Sequence, residues 1–219
     1  MRSLLLLLPV LVLSAQTPPT TGTKATFKKA AAPATPMAKN FKLSGNPTAP
    51  LTLELYTDYE CPSCRMFYLQ VLPAVIANYV TTGKIQLLHR DFPLPMHQFS
   101  KVAARYANAA GQIGRYDLVA GQIFNTQPDW AQNGSIDAQV AKVLPPGEMQ
   151  QVREIVKTDP WLEETVKQDT AQGNTDGLTE TPFMVISGPH GSGKRERITG
   201  LYNMPYSVLK TYLQQKAGR

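Results

Sequence analysis

The 219-residue chain is poor in cysteine and histidine, and its first part lacks acidic residues. The two cysteines and the three histidines, His89, His97 and His190, do not have the spacing of a four-ligand zinc site, so we expect no metal and no other cofactor. Six of the 22 basic residues and none of the 16 acidic ones precede Leu43, which leaves 16 of each sign from Leu43 onward. Because no excess of basic residues falls in the folded part, we expect no nucleic-acid partner.

The chain has a single long apolar run, and it lies at the N terminus. Arg2 is followed by an apolar stretch over residues 4–13 and then by small residues, the pattern of a secretory signal peptide. We therefore predict that residues 1–15 are a signal peptide and that the protein is exported, to the periplasm or another extracytoplasmic space. An uncleaved signal would instead tether the protein to the membrane. Residues 16–40, rich in Pro, Thr, Ala and Lys, predict a disordered tether.

Hydrophobic periodicity beyond residue 40 predicts an α/β fold. A strand is expected at 51–57, a helix at 62–80 kinked by Pro73, and a second strand at 85–94. Several helices should follow, then a hairpin with strands at 182–187 and 195–200, and a last helix at 204–218. The strand–helix–strand unit implies parallel strands joined by a right-handed crossover, and the hairpin can extend the same sheet antiparallel.

Both cysteines, Cys61 and Cys64, lie where the first strand gives way to the helix. The sulfur of Cys61 would meet the free N–H groups of the helix start, which favour the reactive thiolate. A disulfide closing only two residues would constrain the unfolded chain very little, so a chemical role is favoured over a stabilising one. Cys61 would be the exposed sulfur that forms a mixed disulfide, and Cys64 the buried resolving sulfur. Half of a metal site and a pair of inert core cysteines are the alternatives.

The segments "LELYTDYECPSCRMFYLQVLP" and "LTETPFMVISG" resemble the DsbA-like branch of the thiol–disulfide oxidoreductases, over about residues 48–219. The resemblance implies a thioredoxin-like fold, with a mixed central sheet flanked by helices and an inserted all-helical subdomain. The thioredoxin-like domain would comprise residues 41–97 and 170–219, and the insertion residues 98–169. It also implies a cis peptide bond before Pro182, where the backbone of Thr181 and Pro182 would pair with a substrate peptide.

The sequence departs from this family pattern at the position six residues before the first cysteine. Many members have an acidic residue there, whereas this chain has Leu55. Glu54 lies one residue away and by strand parity should face the other side of the sheet. It is therefore only a candidate proton relay.

The immediate neighbours of the cysteines, Glu60, Pro62 and Ser63, also bear on reactivity. Strongly oxidising members often have His before the second cysteine, and Ser63 cannot supply that positive charge. Glu60 would by itself raise the pKa of the neighbouring thiol, and Arg65 could offset this effect. We predict a Cys61 pKa below that of a free cysteine but above that of the most oxidising members.

The expected function is that of an exported thiol–disulfide oxidoreductase acting on reduced or misfolded exported proteins. It would act as a disulfide donor, with Cys61–Cys64 regenerated by a membrane quinone-linked partner. A reductase or isomerase uses the same chemistry, but the isomerases carry a dimerisation domain, and residues 16–40 are too short and polar to be one. We therefore expect a monomer. A non-catalytic peptide-binding or chaperone module is the alternative from another class.

The stretch "GPHGSGKR" at 188–195 fits the glycine and lysine spacing of a phosphate-binding loop. Arg195 stands where such a loop needs Ser or Thr, and a strand is expected after it instead of a helix. A glycine-rich hairpin turn explains the stretch better than a nucleotide site.

Overall fold

The computed structural model describes residues 40–218. The predicted signal peptide and all of the predicted tether except Asn40 lie outside the described residues. No helix within 40–218 combines the length and the apolar character needed to cross a bilayer.

Five strands form one mixed sheet in the order β1-β3-β2-β4-β5. Their bounds are β1 (Leu43–Ser44), β2 (Leu51–Thr57), β3 (Ile85–Asp91), β4 (Phe183–Ser187) and β5 (Glu196–Ile198). β2 and β3 are parallel, and the other three pairings are antiparallel. This arrangement confirms the predicted mixed sheet of a thioredoxin-like fold. The two-residue β1 was not predicted, because so short a strand has no alternation to detect.

One continuous helical stretch connects β2 to β3, and it changes its hydrogen-bonding pattern along its length. It consists of α1 (Pro62–Met66), a π-helical segment (Phe67–Val71), α2 (Leu72–Val75) and a second π-helical segment (Ile76–Val80). Pro73 lies in the first turn of α2, and the N–H of Leu72 bonds to the carbonyl of Phe67. The proline lacks an N–H, and the wider π turn before it lets the stretch continue through the position expected to kink.

Six helices lie between β3 and β4, and they form the expected helical insertion. They are α3 (Ser100–Gln112), α4 (Tyr116–Asn125), α5 (Gln127–Trp130), α6 (Ile136–Val140), α7 (Pro146–Thr158) and α8 (Trp161–Thr175). The boundary expected after residue 169 falls inside α8, because the helical pattern continues to Thr175. The last helix, α9 (Tyr206–Ala217), follows β5.

The sheet separates two different environments. Leu53 and Leu55 of β2 are fully buried in an apolar cluster with Leu87 of β3 and with Leu209 and Leu213 of α9. Side chains of opposite parity on β2, such as Glu54 and Tyr56, contact charged partners instead. A further apolar cluster fills the helical insertion, and both cysteines belong to it.

Three cations and four carboxylates form a chain of ion pairs beside the sheet. Lys42 pairs with Asp91 and Asp169, Arg90 with Glu54 and Asp169, and Arg195 with Glu54 and Asp176. Most of these side chains are buried, so each charge depends on its partners for the stabilisation that water would otherwise provide.

Candidate active site

The two cysteines sit at the start of α1, where the chain leaves the sheet. Cys61 is the residue before the first helical turn and has extended backbone angles, and Pro62 occupies the first helical position, where no N–H is needed. Both cysteines are free thiols in the structure. Cys64 is completely buried, and Cys61 keeps only 7% of its surface exposed. Cys61 is thus the more accessible sulfur, although it is less exposed than we expected.

The environment of Cys61 favours its thiolate. The pKa of its thiol is lowered from 9.0 to about 6, chiefly by the hydrogen bond with the Cys64 thiol. The backbone N–H groups of Cys64 and Ser63, together with Thr181, lower the pKa further, while burial opposes them. These N–H groups belong to the first turn of α1, where they have no carbonyl partner within the helix.

The environment of Cys64 shifts the pKa of its thiol upward. Burial raises the pKa of its thiol well above the ordinary value, and the hydrogen bond and charge of Cys61 add to this effect. The backbone N–H of Asp58 donates to the Cys64 sulfur at 3.4 Å, and this hydrogen bond lowers the Cys64 pKa. One sulfur is therefore prepared to be a thiolate and the other to hold a proton.

A cis peptide bond faces the cysteines. The Thr181–Pro182 bond immediately before β4 is cis, as the family resemblance implies. The Cys61 thiol donates to the backbone carbonyl of Thr181 at 3.5 Å. Thr181 and Pro182 are both buried, so the backbone of β4 begins directly beside the reactive sulfur.

The helical insertion holds the loop that carries Cys61. The side-chain amide of Gln127, at the start of α5, donates to the carbonyls of Tyr59 at 2.7 Å and Cys61 at 3.0 Å. Phe124 of α4 stacks on Tyr59 and on Tyr68, with ring centroids 4.7 and 4.5 Å apart. The active-site loop and the helix behind it are therefore positioned by residues more than 50 positions away in sequence.

A family model described as thioredoxin matches residues 39–196, most of the chain. The chain belongs to this thioredoxin family. Among curated relatives, a probable disulfide bond formation protein D from Bacillus cereus is 37% identical over 49 residues. A protein of the same description from Bacillus anthracis matches to the same extent. These alignments cover 22% of this chain and only 23% of each relative.

Solved structures resemble this thioredoxin-family protein over most of its length. Wolbachia pipientis alpha-DsbA1 matches with a TM-score of 0.68 and 21% identity, covering 84% of this chain and 93% of that one. BdbD from Bacillus subtilis matches with a TM-score of 0.65 and 17% identity, covering 81% of this chain and 93% of that one. Chlamydia trachomatis DsbA matches with a TM-score of 0.64 and 18% identity, covering 93% of this chain and 98% of that one. At these identities the matches show the fold, and they confirm the DsbA-like architecture with its helical insertion.

The structure assigns other contacts to the charged neighbours of the cysteines in this thioredoxin-family protein. The Glu60 carboxylate accepts the backbone N–H of Phe99 at 2.6 Å. Arg65 donates to the backbone carbonyl of Phe124 at 3.1 Å. The main influences on the Cys61 pKa are the hydrogen bond with Cys64 and burial, followed by Thr181 and Ser63, and Glu60 and Arg65 are not among them.

Glu54 is not brought to the cysteines. Its carboxylate is almost completely buried, and it binds Arg90 at 2.8 Å and also Arg195. Leu55 belongs to the apolar cluster with Leu87 of β3 and Leu209 of α9, so Glu54 points to the other side of the sheet, as strand parity predicts. The side chain takes part in the chain of ion pairs beside the sheet.

Asp58 and Gln127 contact the active-site loop but were not among the predicted site residues. Asp58 is fully buried, and its backbone contacts both cysteines, since its carbonyl also accepts the N–H of Cys61 at 3.2 Å. An acidic residue directly after a strand and three positions before a cysteine pair was the available signal. Gln127 gave no such signal, because it lies in a polar stretch at the start of the short helix α5.

The glycine-rich stretch 188–195 does not have the structure of a phosphate-binding loop. After the glycine-rich stretch 188–195 the chain enters β5, so no helix start faces the loop, and Arg195 is used by Glu54 and Asp176. Within residues 40–218, no group of three or more His, Cys, Asp or Glu side chains is arranged to hold a metal ion.

The lowered pKa gives a direct prediction for the reactivity of Cys61. We expect its alkylation rate to rise as pH passes about 6 and to level off near neutrality, whereas a free cysteine titrates at about 8.5. The same thiolate stabilises the reduced protein, and this stabilisation is lost as pH falls through about 6. Cys64→Ala, which removes the thiol that lowers this pKa most, should move the midpoint upward. An alkylation profile centred near that of free cysteine would contradict the prediction.

Proposed function

We propose that this chain is an exported thiol–disulfide oxidoreductase that donates the Cys61–Cys64 disulfide to client proteins. The observation that carries the proposal is the opposite shift of the two thiols, with the Cys61 pKa lowered to about 6 and the Cys64 pKa raised. A stabilised Cys61 thiolate favours the reduced form of the pair, and an enzyme whose reduced form is stabilised is an oxidant. The DsbA-like fold and the cis bond beside Cys61 agree with this assignment.

The donation proceeds through a mixed disulfide at Cys61. A client thiolate attacks the Cys61 sulfur, and the electron pair of the Cys61–Cys64 bond leaves with Cys64, which takes up a proton. A second client thiolate then attacks the client sulfur of the mixed disulfide, and Cys61 departs as the thiolate that its surroundings stabilise. The client has lost two electrons and the enzyme has gained them. The backbone at Thr181 and Pro182 would align the client segment during both steps.

The partners follow from this chemistry. The clients would be reduced or misfolded exported proteins, in keeping with the signal-peptide pattern at residues 1–15. Each donation leaves a reduced pair, so a membrane quinone-linked oxidant would have to regenerate the disulfide. We expect the enzyme to act as a monomer.

Reduction of client disulfides is the second candidate function. A Cys61 pKa of about 6 lies nearer to the value of about 7 for thioredoxin, a reductant, than to about 3.5 for DsbA. The two directions of electron flow use the same residues and differ only in the reduction potential of the pair.

Equilibration of the pair with glutathione buffers measures this potential. For a donor we expect a value less negative than about −200 mV, on the side of DsbA at about −120 mV. A value near −270 mV, that of thioredoxin, would support the reductase instead. Ser63→His is the matched variant: a cation beside the Cys61 thiolate should make the potential less negative, whereas Ser63→Ala should leave it nearly unchanged.

A further inference from the structure

The carboxylate of Asp58 joins the active-site loop to the segment after β3. It accepts the backbone N–H groups of Glu60 at 2.8 Å and Leu94 at 2.7 Å. Its Oδ2 atom also lies 2.7 Å from Nδ1 of His97. Asp58 is fully buried, so its negative charge depends on these three donors. Two of them are backbone groups, and the imidazole of His97 is the one side chain among them.

The backbone of the same residue touches both cysteines. The Asp58 N–H donates to the Cys64 sulfur at 3.4 Å, and the Asp58 carbonyl accepts the N–H of Cys61 at 3.2 Å. The position of the Asp58 carboxylate therefore fixes a donor that points at the resolving sulfur. The imidazole of His97 is partly open to solvent, with 20% of its surface exposed, whereas its partner carboxylate has none.

Cys64 needs such a donor in every exchange step. When a client thiolate attacks Cys61, Cys64 leaves with the electron pair of the broken bond, and when Cys64 resolves a mixed disulfide it must first lose its proton. In either direction its sulfur carries negative charge in a site that excludes water. Hydrogen bonds to charged groups are stronger than those between neutral groups, and they matter most where water cannot replace them.

We propose that His97 is a positioning residue for the thiol–disulfide exchange, which holds the Asp58 carboxylate so that the Asp58 N–H stabilises negative charge on the Cys64 sulfur. The inference deepens the proposed function and rests on it. The two cysteines then have different surroundings. Cys61 contacts the N–H groups of α1 and the backbone of Thr181, whereas Cys64 accepts the N–H of Asp58, whose carboxylate is held by the segment after β3.

A matched pair of variants tests the role of the His97 donor. His97→Asn places an N–H near the position of Nδ1, and His97→Leu has nearly the same shape as Asn but no donor. His190→Asn is the control, since His190 is exposed and lies in the turn between β4 and β5. The reduced proteins are mixed with an aromatic disulfide whose leaving thiolate is coloured. Attack by Cys61 releases the first thiolate, and attack by Cys64 on the mixed disulfide releases the second.

We expect His97→Leu to slow the second release about tenfold and the first less than about threefold. His97→Asn and His190→Asn should keep both rates within about threefold of the wild type. A purely structural role for His97 would lower the melting temperature without separating the two releases. Equal effects on both releases, no effect of His97→Leu, or equal behaviour of the Leu and Asn variants would each overturn the proposal.

A replacement variant and the behaviour of the wild type separate the remaining outcomes. If His97→Leu does not fold, His97→Gln replaces it, because its donor is displaced by one methylene and should still slow the second release more than the first. If the wild type itself gives no second release, the proposed redox function fails. If the wild type gives both releases and the His97 variants match it, only the role of His97 is refuted.

Discussion

Replacing Cys61 by Ser is expected to abolish disulfide donation and leave the fold intact. A serine hydroxyl cannot form the mixed disulfide, so the catalysed rate should fall to background, a loss of at least about a thousandfold. Serine is a favourable residue before the first turn of a helix, which argues against a loss of stability at this position. The measurement is oxidative refolding of a reduced, unfolded client with the enzyme present at catalytic concentration.

Cys64→Ser is the matched control for this experiment. It keeps the Cys61 nucleophile, with a serine hydroxyl that can donate in place of the Cys64 thiol, but removes the resolving sulfur, so mixed disulfides should accumulate on Cys61. A covalent enzyme–client adduct that disappears on reduction would be seen with Cys64→Ser and not with Cys61→Ser. If Cys61→Ser still promotes client refolding at the wild-type rate, the redox functions are refuted, and a non-catalytic peptide-binding or chaperone module takes their place.

The parts of the site that could be predicted are those encoded locally. The alternation in β2, the proline after Cys61 and the apolar spacing beyond it together place the cysteines at a strand–helix junction, and the structure has them there. Strand parity separated Glu54 from Leu55 for the same reason, because side-chain direction in a strand follows from counting residues.

The parts that could not be predicted depend on contacts between distant segments. Asp58 meets His97 across 39 residues and Gln127 meets the Tyr59 carbonyl across 68, and neither pair leaves a periodic signal in the sequence. The partner of Glu60 could not be predicted for the same reason. From its place beside Cys61 we expected Glu60 to raise the thiol pKa, whereas its carboxylate accepts the N–H of Phe99, 39 residues away in sequence.

Lys42 is the clearest case of such a distant contact, and its replacement by Met is expected to cost about 3–5 kcal/mol of unfolding free energy. Lys42 is buried and binds Asp91 and Asp169, which belong to β3 and α8. Without the ammonium group, Asp91 would keep the amide of Asn108, at 2.7 Å, as its side-chain partner. A methionine fills a similar volume, so the expected loss comes from unpaired buried charge and not from a cavity.

The loss should depend on pH with a defined sign. Burial already raises the pKa of Asp91, and Lys42 is the main influence that lowers it. In Lys42→Met the Asp91 pKa should therefore rise further, so that protonation relieves the repulsion as pH falls through it. Denaturant titrations at about pH 8 and about pH 5 should show the larger loss at the higher pH. A loss that is the same at both values would mean that buried charge is not its cause.

Arg115→Met is the matched control for Lys42→Met, because it removes a cation from the exposed pair with Glu148. Exposed pairs stabilise a fold little, since water and salt screen them, so this variant should unfold almost like the wild type. Lys42 lies where the described residues begin and directly precedes β1, so its ion pairs fix this segment against β3 and α8. If Lys42→Met loses no more stability than Arg115→Met, the buried pairs contribute little, and the apolar packing of Phe41 against Tyr116 and Trp161 must hold this segment instead.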